Sequence, residues 1–141
     1  MAENEIKTSY EVLSHQIERE DGLINTRITW MLTFEGFLFA ALALVANDNS
    51  DPTIQLILKY VLPIVGSAVA FLALLAISAA FSALEDLRKR WDQTKYPNYP
   101  RPFGNENEHA SGATYCKGVP IVIIVFWAVV LLAFALDDIS K

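Results

Sequence analysis

Two stretches of this chain carry no charge for long enough to cross a lipid bilayer: residues 60–84, 25 in succession, and residues 118–136, 19 in succession. Inside hydrocarbon every backbone N–H and C=O must find its partner within the protein, and a single segment of that length does so as an α-helix. A soluble helix would show a polar face at 3.6-residue spacing, and neither stretch does. The hydrophobic share of 53% is concentrated in blocks rather than scattered. The class that follows is an integral membrane protein, all-α.

A third crossing contains an acid. After Glu35, the 12 residues 36–47 are uncharged before Asp48 is reached; at about 1.5 Å per residue that is roughly 18 Å, short of a ~30 Å hydrocarbon core. The span must begin before Glu35. With Ile28, Thr29, Trp30, Met31, Leu32, Thr33 and Phe34 as its first two turns, the carboxylate sits about 11 Å inside, where an acid costs on the order of 3 kcal/mol unless neutralised or paired.

Basic residues set the orientation. Arg88, Lys89, Arg90, Lys95, Arg101 and Lys117 follow the second span, and Lys7, Arg19 and Arg27 precede the first, so both regions should face the cytoplasm. The segment from Asn47 to Thr53 has only Lys59 nearby, and the chain closes on Asp137, Asp138, Ile139, Ser140 and Lys141, so these should face outward. Hydropathy and charge agree on one topology. The expected organisation is a cytoplasmic amphipathic head helix (1–27), transmembrane helix 1 (28–46), a short outside loop (47–56), transmembrane helix 2 (57–84), a cytoplasmic loop (85–117), transmembrane helix 3 (118–136) and an outside tail (137–141). The first residues lack the apolar core of a cleavable signal peptide. A net charge of -5 without a basic stripe excludes nucleic acid as a partner. The single cysteine, Cys116, makes no intrachain disulfide.

In the head, Ile6, Tyr10, Leu13, Ile17, Ile24 and Ile28 recur at spacings of 4, 3, 4, 7 and 4, one apolar stripe that needs a partner. Asp21-Gly22 is a candidate break within it. In the first span Thr26, Thr29, Thr33, Gly36, Ala40, Ala43 and Asn47 form a face of small residues, and the second span answers with Gly66, Ala70, Ala73, Ala80 and Ala83. Such faces let helices approach in lipid, so Gly36, Ala40, Ala43, Gly66, Ala70 and Ala73 are the expected helix-contact residues. The third span is bulky and branched, with Pro120 at its first turn, and reads as lipid-facing. The second helix should run on through Trp91. Tyr96, Pro97, Asn98, Tyr99, Pro100, Arg101, Pro102 and Phe103 should then form an extended aromatic loop that anchors at the headgroup level and packs on the head, the competing reading being recognition by a proline-binding partner, followed by a solvated turn at residues 105–112.

Chemistry-bearing constellations are sparse. Glu11, His15 and Glu18 share a helix face with ligand-type spacing, against which stands the simpler reading of a solvated acidic face. No phosphate-binding glycine loop and no nucleophile with an adjacent base is present, so neither an enzyme nor a cofactor is expected. Glu35 is the exception. Its helical neighbours Met31, Leu32, Leu38 and Phe39 cannot hydrogen-bond it; relief must come from water, protonation, a snorkelling Arg27 or Arg88, or a hydroxyl such as Ser78 or Ser82 on the second span. Thr33, Glu35, Ser78 and Ser82 are therefore the candidate pore-lining or buried polar residues.

The stretch Leu23-Ile24-Asn25-Thr26-Arg27-Ile28-Thr29-Trp30-Met31-Leu32-Thr33, running into Gly36-Phe37-Leu38-Phe39-Ala40-Ala41, resembles the start of uncharacterised small bacterial inner-membrane proteins. The resemblance covers about 20 residues and implies an amphipathic cytoplasmic helix, a few spans and self-association. No activity or site residue carries over from it. In organisation the chain is also similar to small membrane effectors of bacterial defence systems, although the sensing module those usually carry or accompany is not present here.

The expected protein is thus a helical bundle in a bacterial inner membrane, in contact with lipid and with copies of itself. One expected activity is a cation- or proton-permeable pore with a ring of Glu35 near the path, since rings of acids select cations. The competing expectation is a non-conducting structural or regulatory subunit that binds a cytoplasmic protein partner through its head and loop, with Glu35 fixing helix register.

Overall fold

A computed structural model describes residues 3–45, 51–94, 96, 98–100, 102 and 106–139. Asn47 to Ser50 of the outside loop, Lys95, Pro97, Arg101, Phe103, Asn105, Ser140, Lys141 and the side chain of His109 lie outside the described residues. The described chain is helical: α1 is Glu3–Val45, α2 is Pro52–Thr94 and α3 is Glu106–Ile139. All three are long and apolar enough to cross a membrane, which points to a membrane protein. Their 43, 43 and 34 residues correspond to roughly 65, 65 and 51 Å of helix, well beyond a ~30 Å hydrocarbon core.

α1 passes through Asp21-Gly22 without a break. A mid-helix glycine costs only about 1 kcal/mol relative to alanine, and the apolar stripe resumes in phase beyond it, with Ile17 and Ile24 both buried. The start of α2 is fixed locally. Asp51 caps it, its carboxylate accepting from the Thr53 amide at 2.8 Å, and Pro52 occupies the first helical position, where its missing N–H costs nothing. Two expectations about α3 are corrected. The turn expected at residues 105–112 is helical from Glu106, and Pro120 lies well inside the helix instead of in its first turn. Within the segment 85–117, residues 85–94 belong to α2, as expected through Trp91, and residues 106–117 belong to α3.

α2 is the central element, with α1 and α3 packed along it. On α1 the seam is Ile6, Tyr10, Leu13, Ile17, Ile24, Ile28, Met31, Glu35, Leu38 and Leu42, all buried or half-buried, at three- and four-residue steps apart from the seven between Ile17 and Ile24. The head stripe therefore runs unbroken into the apolar half of the same helix. α2 presents Leu62, Gly66, Ala70, Ile77, Ala80, Leu84 and Trp91, and α3 presents Pro120, Ile123 and Trp127. This spacing is that of helices packed at a shallow angle.

The seam divides into two clusters. One joins Leu13, Ile17 and Ile24 to Ile77, Ala80, Leu84 and Trp91, closed by Tyr96. Here Tyr10 stacks on Tyr99 with centroids 4.5 Å apart and meets Trp91 edge-on at 5.6 Å, while the Ser9 and Tyr96 hydroxyls are hydrogen-bonded at 2.9 Å. The other cluster joins Met31 and Leu38 to Leu62, Ala70, Ile123 and Trp127. At the far end, Lys59 donates to Asp138 at 2.6 Å and Tyr60 donates to the same carboxylate, tying the start of α2 to the end of α3.

Candidate functional site

The second cluster is built around Glu35. Its place on the seam is dictated by the step of four from Met31 and three to Leu38, so the side chain points at α2 and α3 and is 1% exposed. Trp127 of α3, fully buried, donates its indole N–H to Glu35 Oε2 at 2.7 Å. The second oxygen, Oε1, is buried and has no hydrogen-bond partner among the described residues. In hydrocarbon such a lone acceptor is costly, which makes this the most unusual position in the protein.

Three features hold the indole in place. Phe39, one turn along α1, stacks on it with centroids 5.0 Å apart and planes at 22°. Phe126 meets Phe39 edge-on at 5.1 Å. On the α2 side the ring lies against Gly66, where an added β-carbon would overlap Nε1 and Cε2 of the indole and lie 2.8 Å from its Cδ1. Glycine is required at residue 66 so that a ring can occupy the space a side chain would fill. Ala70, fully buried, continues the floor.

The serines expected as partners lie elsewhere. Arg27 Nη1 donates to the Ala76 carbonyl at 2.7 Å, which sets residues 27 and 76 level on antiparallel helices. Stepping back along that register puts Ser78 level with residue 25 and Ser82 with residue 21, roughly 15 and 21 Å from Glu35 along the axis. Ser78 and Ser82 instead line a groove with Phe81, Glu85, Arg88 and Lys117. Arg27 satisfies a backbone carbonyl and does not snorkel to the acid.

The small residues of α1 also differ from expectation. Thr33, Gly36, Ala40 and Ala43 are exposed, because they are offset by one or two positions from the seam residues; Thr33 lies at the edge of a groove shared with Val69 and Leu72 of α2. Thr26, Thr29 and Thr33 each donate to the carbonyl four residues earlier, at 2.8, 2.9 and 2.8 Å. On α2, Gly66 and Ala70 are buried and Ala73 is half-buried. α3, expected to face lipid, supplies the partner of Glu35.

Sequence reasoning missed Trp127. The signal was depth: spans 1 and 3 enter from the same side, Glu35 lies seven residues into 28–46 and Trp127 nine into 118–136. A buried indole needs an acceptor and a buried carboxyl needs a donor. His15 lies 3.8 Å from Glu18 on an exposed surface, and no three metal-ligating side chains converge among the described residues. No family model matches the chain, and no curated protein or solved structure matches it.

Proposed function

We propose that the protein is a non-conducting structural or regulatory subunit of a bacterial inner membrane. In this reading copies associate through the uncovered Gly36, Ala40 and Ala43 face of α1, and the paired ends of α1 and α2 form a cytoplasmic stalk that binds a protein partner. The observation that carries it is the sealing of Glu35, which at 1% exposure is enclosed by its own chain. A ring of acids around an oligomer axis needs these side chains turned outward to water; Glu35 turns inward to Trp127. Its role is then to fix α3 on the α1–α2 pair. The stalk adds a surface for the partner: a groove of about 740 Å³ between the beginning of α1 and the end of α2, lined by Asn4, Thr8, Val12, Gln16, Arg90 and Gln93 among others.

Cation flux into vesicles holding the purified protein tests this reading. Wild-type protein, with insertion verified by protease protection, is expected to leave a potassium or proton gradient intact. Flux that disappears in Glu35→Gln would overturn it in favour of a pore. That second reading rests on one specific observation, the unpartnered Oε1, an acceptor that a passing proton or water could occupy. For the partner, a photo-crosslinker at Val12 or Gln93 should give a discrete heteromeric adduct in cells, while one at Val122, exposed on α3, should give none.

A further inference from the structure

Ser78 and Ser82 stand one turn apart on α2 and line a polar groove of about 480 Å³ whose opposite wall is Ala113 and Lys117 of α3. Neither hydroxyl is engaged among the described residues, in contrast to Thr26, Thr29 and Thr33 of α1, which each donate to the carbonyl one turn back. The small side chain at Ala113 leaves the groove open. Lys117, half-buried, carries its ammonium 5.4 Å from the centre of the Phe81 ring. Phe81 lies between Ser78 and Ser82 in the chain, so the ammonium sits within about one turn of both hydroxyls.

The donors at this end have no acceptor of their own. Lys117 makes no ion pair among the described residues. Of the two carboxylates in the lining, Glu85 lies 3.6 Å from Lys89 Nζ, and Asp92 is further along α2 from Phe81 by roughly 16 Å. Across the whole lining Arg88, Lys89 and Lys117 outnumber Glu85 and Asp92 by one, in a chain whose net charge is -5. An ammonium can only donate, so what fills this end must be an anion rich in acceptors. A carboxylate offers two oxygens in one plane, whereas a phosphate spreads its oxygens tetrahedrally and can meet donors arriving from two helices.

We propose that this groove binds a phosphate group, with Lys117 as its point-charge partner and the Ser78 and Ser82 hydroxyls donating to its oxygens. Two sources carry such a group. Lys117 immediately precedes the uncharged residues 118–136, which brings a phospholipid headgroup within reach, and the other end of the groove, at Arg88 and Asp92, leads away from that stretch towards soluble phosphate esters.

The test is native mass spectrometry of the full chain in a non-ionic detergent, titrated with dihexanoyl phosphatidic acid, a short lipid ending in a phosphate, and separately with glycerol 3-phosphate. A single copy of the probe should bind. Lys117→Gln should weaken binding about tenfold or more and Ser78→Ala about threefold, while Lys117→Arg should retain most of it. Ala113→Glu, which offers Lys117 a carboxylate one turn before it and leaves the lysine in place, should abolish binding. Tighter binding of the lipid probe assigns the site to a phospholipid, and equal or weaker binding assigns it to a soluble ester; both carry the same phosphate chemistry. A wild type that binds neither probe would overturn the proposal. So would dihexanoylglycerol, which lacks the phosphate, binding as tightly as phosphatidic acid, or affinities left unchanged by Lys117→Gln and Ala113→Glu.

Discussion

The two halves of the seam use the same spacing for different physics. On the proposed topology the head cluster stands outside the lipid, where Leu13, Ile17, Ile24, Leu84 and Trp91 bury apolar surface that water would otherwise hydrate, and the three tyrosines close it. Burial itself is the driving force there. Around Glu35 the surroundings are as apolar as the side chains, so burying Met31 or Leu38 gains little. That half depends on a close approach at Gly66, ring stacking on Phe39 and one hydrogen bond to Trp127. Truncating an apolar side chain should therefore matter most in the head, and changes of shape or polarity should matter most around Glu35.

The largest effect is expected from Trp91→Ala. Removing the aromatic centre of the head cluster should cost about 3–5 kcal/mol in reversible unfolding from detergent, and the α1–α2 stalk should become sensitive to protease. Next is Gly66→Ala, which pushes Trp127 off its floor and should cost about 1–3 kcal/mol. Gly22→Ala is its control: nothing lies within 4 Å of the added carbon, and the change should stabilise the chain by about 0.4–1 kcal/mol through the unfolded state. Equal effects at the two glycines would show that the indole does not lie against α2.

Trp127→Phe removes the donor and leaves both carboxyl oxygens of Glu35 without a partner, for an expected loss of about 1–2 kcal/mol. Glu35→Met should cost less, since it removes the lone Oε1 as well as the acceptor. Combined with Trp127→Phe it should lose less than the sum of the two single changes, and strict additivity would mean the pair is not coupled. The smallest effect is expected at Lys89→Met, which removes exposed ion pairs with Glu85 and Asp86; thermal scans should barely register it.

Much of the fold was legible from charge-free length alone, which is why the three apolar helices could be named from residues 60–84, 118–136 and the stretch around Glu35. The continuity of α1 was harder to see. A stripe read as ending at Ile28 in fact continues through Met31, Glu35, Leu38 and Leu42, and the charge at residue 35 disguised its place in that pattern. A second regularity, Thr33-Gly36-Ala40-Ala43, competed with it one or two positions away, and small residues mark an interface without saying which helix meets it. Helix extent beyond the lipid was also underestimated, because residues 106–117 hold polar side chains on a helix that the apolar half of α3 continues. At the site, hydropathy identified Glu35 as unusual, but its partner depended on the register between helices. The Arg27–Ala76 bond shows that α2 remains apolar beyond the level of Arg27, so counting depth from charged boundaries brought Ser78 too close.

The central claim, that Glu35 is enclosed by its own chain, is tested most directly by thiol accessibility. In a Cys116→Ser background, Glu35→Cys should resist a charged, membrane-impermeant thiol reagent applied from either side of sealed vesicles, while a cysteine at exposed Val12 reacts readily. Rapid modification of the residue 35 thiol, matching Val12→Cys, would place it in water and contradict the account.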